Sequence, residues 1–177
     1  MSQQIICHII GQPGSGKTTL VAALVRHFTA QGMAVGTIKH SAHDHELDKP
    51  GKDSHIHRTA GAAPAGMVTG KMAALYFPNS DLTRPDRLIK TYYTHADIIL
   101  IEGWISGPYP KIEIWRNAVG RPPLFPDIST VKAMVTDDPF DSLGPRPLDI
   151  LRLNNLSTIS NYILNTMVDH GPYRDIL

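Results

Sequence analysis

The chain has a single cysteine, Cys7, set inside the apolar run "IICHII". One thiol cannot build a disulfide framework or a thiolate metal site, so packing has to hold the fold. A length of 177 residues is enough for that, and the expectation is one domain over residues 1–177. Charge of one sign is missing as well: 17 Lys and Arg stand against 16 Asp and Glu, leaving +1. A nucleic-acid or membrane-surface binder needs a basic excess, so neither class is supported. No run approaches the ~18 apolar residues of a membrane span, and no charged segment precedes the short N-terminal apolar stretch. These absences predict a cytoplasmic protein with no nucleic-acid and no membrane partner. Internal repeats and low-complexity blocks are lacking too. The proline-rich segments "GRPPLFP" and "LGPRPLD" read as loops too short to link domains.

What is present is an alternation of strand-like and helix-like patterns. "QIICHII" is rich in β-branched residues and reads as a buried strand. "GKTTLVAALVRHFTAQG" follows, with Leu20, Ala23, Leu24 and Phe28 at helical spacing and Gly32 as the stop. "MAVGTIKH" predicts a second strand, and "DSHIHRTAGA" a short helix capped by Asp53. "AGMVTG" and "MAALYF" predict two short strands, "RPDRLIKTYY" a helix, and "DIILIEG" a strand. "KIEIWR" alternates, which predicts a strand with one solvated or binding face. "TVKAMVTDD" is a last strand. In "NLSTISNYILNTMV", Leu156, Ile159, Ile163 and Met167 fall on one helical face behind Asn155 as cap. Strands separated by helical patterns imply an α/β fold: a mostly parallel, twisted sheet flanked by helices.

The strongest motif is G-x-x-x-x-G-K-T: Gly11, Gln12, Pro13, Gly14, Ser15, Gly16, Lys17 and Thr18, with Thr19 beside it. It lies where a phosphate loop must lie, after a strand and before a helix. Glycines let the backbone turn its N–H groups onto phosphate oxygens, and the helix N-terminus adds its positive dipole end. Lys17 is expected to reach the β- and γ-phosphates, and Thr18 to hold Mg²⁺ through its hydroxyl. A P-loop NTPase also needs an acid at a neighbouring strand tip. Glu102, at the end of the apolar run in "DIILIEG", is the candidate, whereas Asp97 begins that run and lies ~16 Å away at strand rise.

The stretch "HSAHDHELDKPGKDSHIHR" holds five of the nine histidines: His40, His43, His45, His55 and His57. Their spacing admits Zn²⁺ or Ni²⁺, but interleaved lysines make the loop electrostatically poor for a cation.

Five blocks, "GQPGSGKTTL", "GTIKHSAHDHELDKPGKDS", "RTAGA", "IILIEGW" and "PKIEIWR", give the chain a resemblance to the molybdopterin-guanine dinucleotide biosynthesis protein B family, small GTP-binding P-loop proteins. The matching blocks span residues 5 to 116, with "AMVTDDP" as a weaker sixth, and generic P-loop proteins lack the "IKH…DKPGKDS…R…AGA" string. The resemblance implies that the histidine stretch is a switch-type loop over the phosphates. In it, Lys39, Lys52 and Arg58 would contact anionic groups, and Asp44 or Asp48 would contact Mg²⁺ or water. It further implies slow GTP hydrolysis with Lys17, Glu102 and Arg58 in catalytic roles, and an adaptor function beside the guanylyltransferase that joins GMP to molybdopterin. A homodimer is implied as well, with molybdopterin itself a candidate ligand.

The base is harder to read. The N-K-x-D motif of many GTPases is absent, and Asp137 (or Asp138) is the carboxylate placed to accept from guanine. Two other functions share the loop. A small-molecule kinase would need an arginine-rich lid, yet Arg84, Arg87, Arg116 and Arg121 are spread apart. A metal-insertion GTPase would suit the histidines, but not the lack of further cysteines.

Overall fold

The computed structural model describes residues 4–78, 85–139 and 147–167. Its elements run β1 (Ile5–Ile10), α1 (Lys17–Ala30), β2 (Val35–Lys39), α2 (Asp53–Thr59), β3 (Ala65–Val68), β4 (Ala73–Tyr76), α3 (Pro85–Tyr92), β5 (Ile98–Glu102), β6 (Lys111–Ile114), β7 (Val131–Val135), β8 (Asp149–Leu151) and α4 (Leu156–Thr166). Within a chain expected to be one domain, two compact units are distinguished. Residues Ser41–Tyr92 form one, and the sequence on either side of them forms the other.

The flanking unit is built on six strands in the order β2-β5-β1-β6-β7-β8, every pair parallel. This is the P-loop NTPase architecture that the alternation of patterns predicts. The inner strands are apolar because a parallel sheet is covered on both faces. On one face, Cys7 and Ile9 of β1, Ile98 and Leu100 of β5, and Ile112 and Ile114 of β6 pack under α1 and α4. Helix α1 buries Leu20, Val21, Leu24 and Phe28, so Val21 replaces the expected Ala23 on the core side. It ends at Gln31, and Gly32 (φ 83) turns the chain away, as expected of that residue. Helix α4 brings Ile159, Ile163 and Met167 into the same core, and the Asn155 side chain caps it by accepting from the Thr158 N–H.

The other face differs from the reading of "KIEIWR". Its alternation predicts one solvated or binding face; all four residues of β6 are buried, Lys111 and Glu113 included, so neither face is solvated. The loops after β5 and β6 cover it. Lys111 Nζ donates to the carbonyls of Gly107 and Tyr109. The Glu113 carboxylate accepts from the N–H groups of Leu124 (2.7 Å) and Phe125 (2.8 Å). Alternation here reports a polar layer satisfied inside the protein, not one facing water. Strand β8 was not anticipated; it begins at Asp149, the last residue of "LGPRPLD", and three residues are too few to show a period.

In the Ser41–Tyr92 unit, β3 and β4 form an antiparallel pair with Ala65 opposite Tyr76 and Val68 opposite Ala73. Helix α2 packs on β3. Its expected cap, Asp53, is instead the first helical residue, and Lys52 holds the cap position without a side-chain hydrogen bond. The reason lies five residues before Asp53. Asp48 folds over the turn, accepting from the Lys49 N–H (2.8 Å) and the Ser54 hydroxyl (3.0 Å), and so sets where the helix begins. Asp53 keeps a favourable place against the helix dipole.

Candidate nucleotide site

Because its strands are parallel, the six-stranded sheet brings the C-terminal ends of β1, β2, β5 and β6 to one edge, the edge where open α/β sheets bind ligands. The loop Gly11–Thr18 leaves β1 at that edge and returns into α1. Two glycines there have no substitute. A Cβ on Gly11 (φ 144) would lie 2.3 Å from the Ile114 carbonyl oxygen, so β6 and the loop fit only without a side chain. Gly16 (φ 100) is the residue before α1 and sits in the left-handed region with no side-chain cap, which leaves the first N–H groups of the helix to an anion.

Lys17 curls over the loop, donating to the carbonyls of Gly11 and Gln12 at 2.9 Å each. Burial lowers its pKa from the usual ammonium value; Glu102 opposes that shift, and Lys39 adds to it. The Ser15 hydroxyl is buried without a hydrogen-bond partner among the described residues. A buried hydroxyl left in this way in a glycine-rich loop before a helix suits a phosphate oxygen.

Glu102 stands where its position in "ILIEG" predicts. Its register partners are Ile9 on β1 and Lys39 on β2. Thr18 Oγ1 donates to Glu102 Oε1 at 2.7 Å, across 84 residues of sequence, and Lys39 Nζ lies 3.1 Å from the same oxygen. Hydroxyl and carboxylate oxygens side by side form the hard donor set that suits Mg²⁺. Asp97, at the opposite end of β5, accepts from the Ala34 N–H (2.8 Å) and stays away from this edge.

Trp104 follows Glu102 by two residues, in the left-handed region (φ 59), and stacks on His40 with ring centroids 4.6 Å apart. It is nearly buried. Trp115 is packing: it lies on the cluster of Ile10, Phe125, Val131 and Met134 and donates Nε1–H to the Arg121 carbonyl.

The other candidates are Asp137, Asp138, Asp44, Lys52 and Arg58. Asp137 is exposed at the end of β7; its Oδ1 accepts from the Leu153 N–H at 2.9 Å, while Asp138 accepts from the Asn117 N–H. Asp44, Lys52 and Arg58 belong to the Ser41–Tyr92 unit. Asp44 and Lys52 are exposed. Arg58 is bound to the Glu46 carboxylate, which lowers the pKa of that acid and raises that of the guanidinium. Gly51 (φ 77) lets the chain turn after Pro50. Among the described residues no three His, Cys, Asp or Glu side chains gather as a metal site.

One residue at the edge was given no role by the sequence reading. Arg116, two positions beyond β6, rests against the loop: a Cβ on Gly16 would lie 3.4 Å from its Nη2. The rule that found Glu102, a charged residue at a strand end, extends to Arg116, two residues past β6. It gives the site only once β6 is known to flank β1.

Comparison with known proteins agrees with this architecture. The family model described as "Molybdopterin guanine dinucleotide synthesis protein B" matches residues 6–137. The molybdopterin-guanine dinucleotide biosynthesis adapter protein of Haemophilus influenzae is 32% identical over 93% of this chain and 91% of its own. Its Escherichia coli namesake is 32% identical over 87% of this chain and 88% of its own. The crystal structure of Bacillus subtilis MobB superposes with a TM-score of 0.70 at 23% identity, covering 94% of this chain and 99% of that one, and thereby supports the fold. With the phosphate loop, the strand-end acid and the matched sequence in agreement, the chain belongs to the molybdopterin guanine dinucleotide synthesis protein B family.

Proposed function

We propose that this chain is a GTP-binding adapter of molybdopterin-guanine dinucleotide biosynthesis, with slow intrinsic hydrolysis and a guanylyltransferase as its partner. The name carried by its relatives supports the adapter role. The observation that carries nucleotide binding is the Thr18–Glu102 hydrogen bond beside Lys17, which joins the loop to the neighbouring strand tip. Thr18 and Glu102 would hold Mg²⁺, which when bound neutralises charge on the β- and γ-phosphates. The backbone N–H groups of Gly14–Thr19 orient the phosphates. Lys17 leaves its two loop carbonyls to meet the transferring phosphoryl group, and Lys39 adds positive charge at Glu102. Arg58 is held by Glu46, so a catalytic part for it requires that pair to open. This accords with a slow enzyme whose main work is adapting. The Asp137 carboxylate, which accepts from the Leu153 N–H through Oδ1, would accept from the guanine N1–H and exocyclic amine, a pair of donors that adenine does not offer.

A homodimer forms part of the same proposal. Met67, Val68, Met72 and Leu75 on and between β3 and β4 are exposed, and a two-stranded sheet offers edges to a second copy.

Equilibrium binding of GTP and ATP analogues with Mg²⁺ tests the nucleotide assignment. GTP is expected to bind at least about tenfold tighter than ATP, a difference of about 1.4 kcal/mol. Lys17→Ala should abolish binding of both, and Asp137→Ala should remove the preference. Equal or tighter binding of ATP by the wild type would refute the guanine assignment.

A further inference from the structure

The geometry points to Arg116 as a ligand of the nucleotide at its nucleoside end, with the guanidinium fork on the α-phosphate. This rests on the nucleotide-binding reading above and extends it to a residue which that reading does not use.

Strand β1 carries the loop between two neighbours, and each delivers a charged side chain to the same edge. On the β5 flank stands Glu102, hydrogen-bonded to Thr18 and paired with Lys39. That oxygen pair marks the cation side, where the β- and γ-phosphates have to lie. On the β6 flank stands Arg116, whose Nη2, Cζ and Nε lie 3.4 to 3.8 Å from the Cβ position of Gly16. The chain cannot drift there, because the Ile114 carbonyl two residues earlier is set against Gly11 and the next N–H, of Asn117, is held by Asp138.

Arg116 forms no ion pair among the described residues, while Lys39 and Arg58 each do. A guanidinium is charged at every physiological pH and presents two parallel N–H donors that match a phosphate. Placed against a phosphate-binding backbone, and with Lys17 adding a second positive charge, it suits an anion on the flank away from the metal. The α-phosphate and nucleoside are the parts of the nucleotide left for that flank. Both occur in the diphosphate as well as in the triphosphate.

The test compares dissociation constants for a GTP analogue and for GDP, with Mg²⁺, in wild type, Arg116→Ala and Arg116→Gln. Because the side chain is exposed, both variants should fold, as checked by melting curves; Arg116→Gln retains the aliphatic stem should Arg116→Ala be damaged. Loss of one charge-assisted fork predicts about tenfold weaker binding. The factor should be the same for GDP and the GTP analogue. Affinities equal to wild type would overturn the assignment. So would a loss confined to the triphosphate, or a fall in turnover at unchanged affinity, either of which moves Arg116 to the γ end. If wild type itself binds neither nucleotide, the underlying reading fails instead, and Arg116 fails with it.

Discussion

His8 shows how much a single buried residue can depend on its surroundings. It lies on the face of β1 turned away from α1 and is fully buried, with Nδ1 3.2 Å from the Gly103 carbonyl and Nε2 unpartnered among the described residues. Burial pushes its pKa down from 6.5 to about 3, the Lys111 charge adds to that, the bond to Gly103 opposes it, and His40 lowers it slightly more. Between those two values the unfolded chain binds the proton and the folded chain does not. Stability from His8 is therefore present above pH 6.5 and is lost as pH falls toward 3, by at most about 1.4 kcal/mol per pH unit. Glu113, whose pKa is raised by burial, acts in the opposite direction above its ordinary 4.5. The difference between proteins isolates His8. In urea unfolding at pH 7.5, 6 and 5, wild type should lose more stability on acidification than His8→Asn, in which the amide can still donate to Gly103. Parallel pH profiles would show that His8 is not the group responsible.

Among the elements, α4 gives the cleanest expectation. Its cap is visible in the sequence, and in the structure Asn155 Oδ1 accepts from the Thr158 N–H at 3.1 Å. Asn155→Ala should cost about 1 kcal/mol and lower the melting temperature, with the far-ultraviolet spectrum unchanged. A variant that melts with wild type would mean that packing of Ile159 and Ile163 alone holds the helix start. Strands β1, β2, β5 and β7 were also legible, because long β-branched runs admit few other structures. Strand β6 was legible as a strand but not by its faces, since a period of two says nothing about what covers either side. Helix α2 was found with the wrong cap: Asp53 has the right chemistry, but Asp48 reaches the turn from outside the helix. The site followed the same division. Gly11–Thr18 and Glu102 could be read because each is a local pattern at a strand end. Arg116 could not, because its meaning depends on which strand lies beside β1.

For the molecule as a whole, the dimer is the open expectation with the simplest readout. Val68 is 81% and Met72 76% exposed, and methionine and valine at such exposure raise the cost of remaining alone in water. Sedimentation equilibrium should give twice the mass of one chain. Val68→Lys with Met72→Lys should shift the protein toward a single chain without loss of nucleotide affinity. A wild type that sediments as one chain at tens of micromolar would contradict the proposal. No helix among the described residues is long and apolar enough to cross a membrane.

By itself the sequence determined the loop, its strand and its helix, because residues 5 to 30 are contiguous and their chemistry is carried by backbone turns and spacing. It also determined the family, through motifs that no other reading accounts for together. Only the tertiary structure decided what stands around the loop. Thr18 meets Glu102 across 84 residues, and Gly16 meets Arg116 across a comparable stretch. Arg58 is committed to Glu46. These contacts depend on strand order, which is set by how apolar faces pack and how crossovers close. That is a property of the whole chain, and local pattern carries almost none of it.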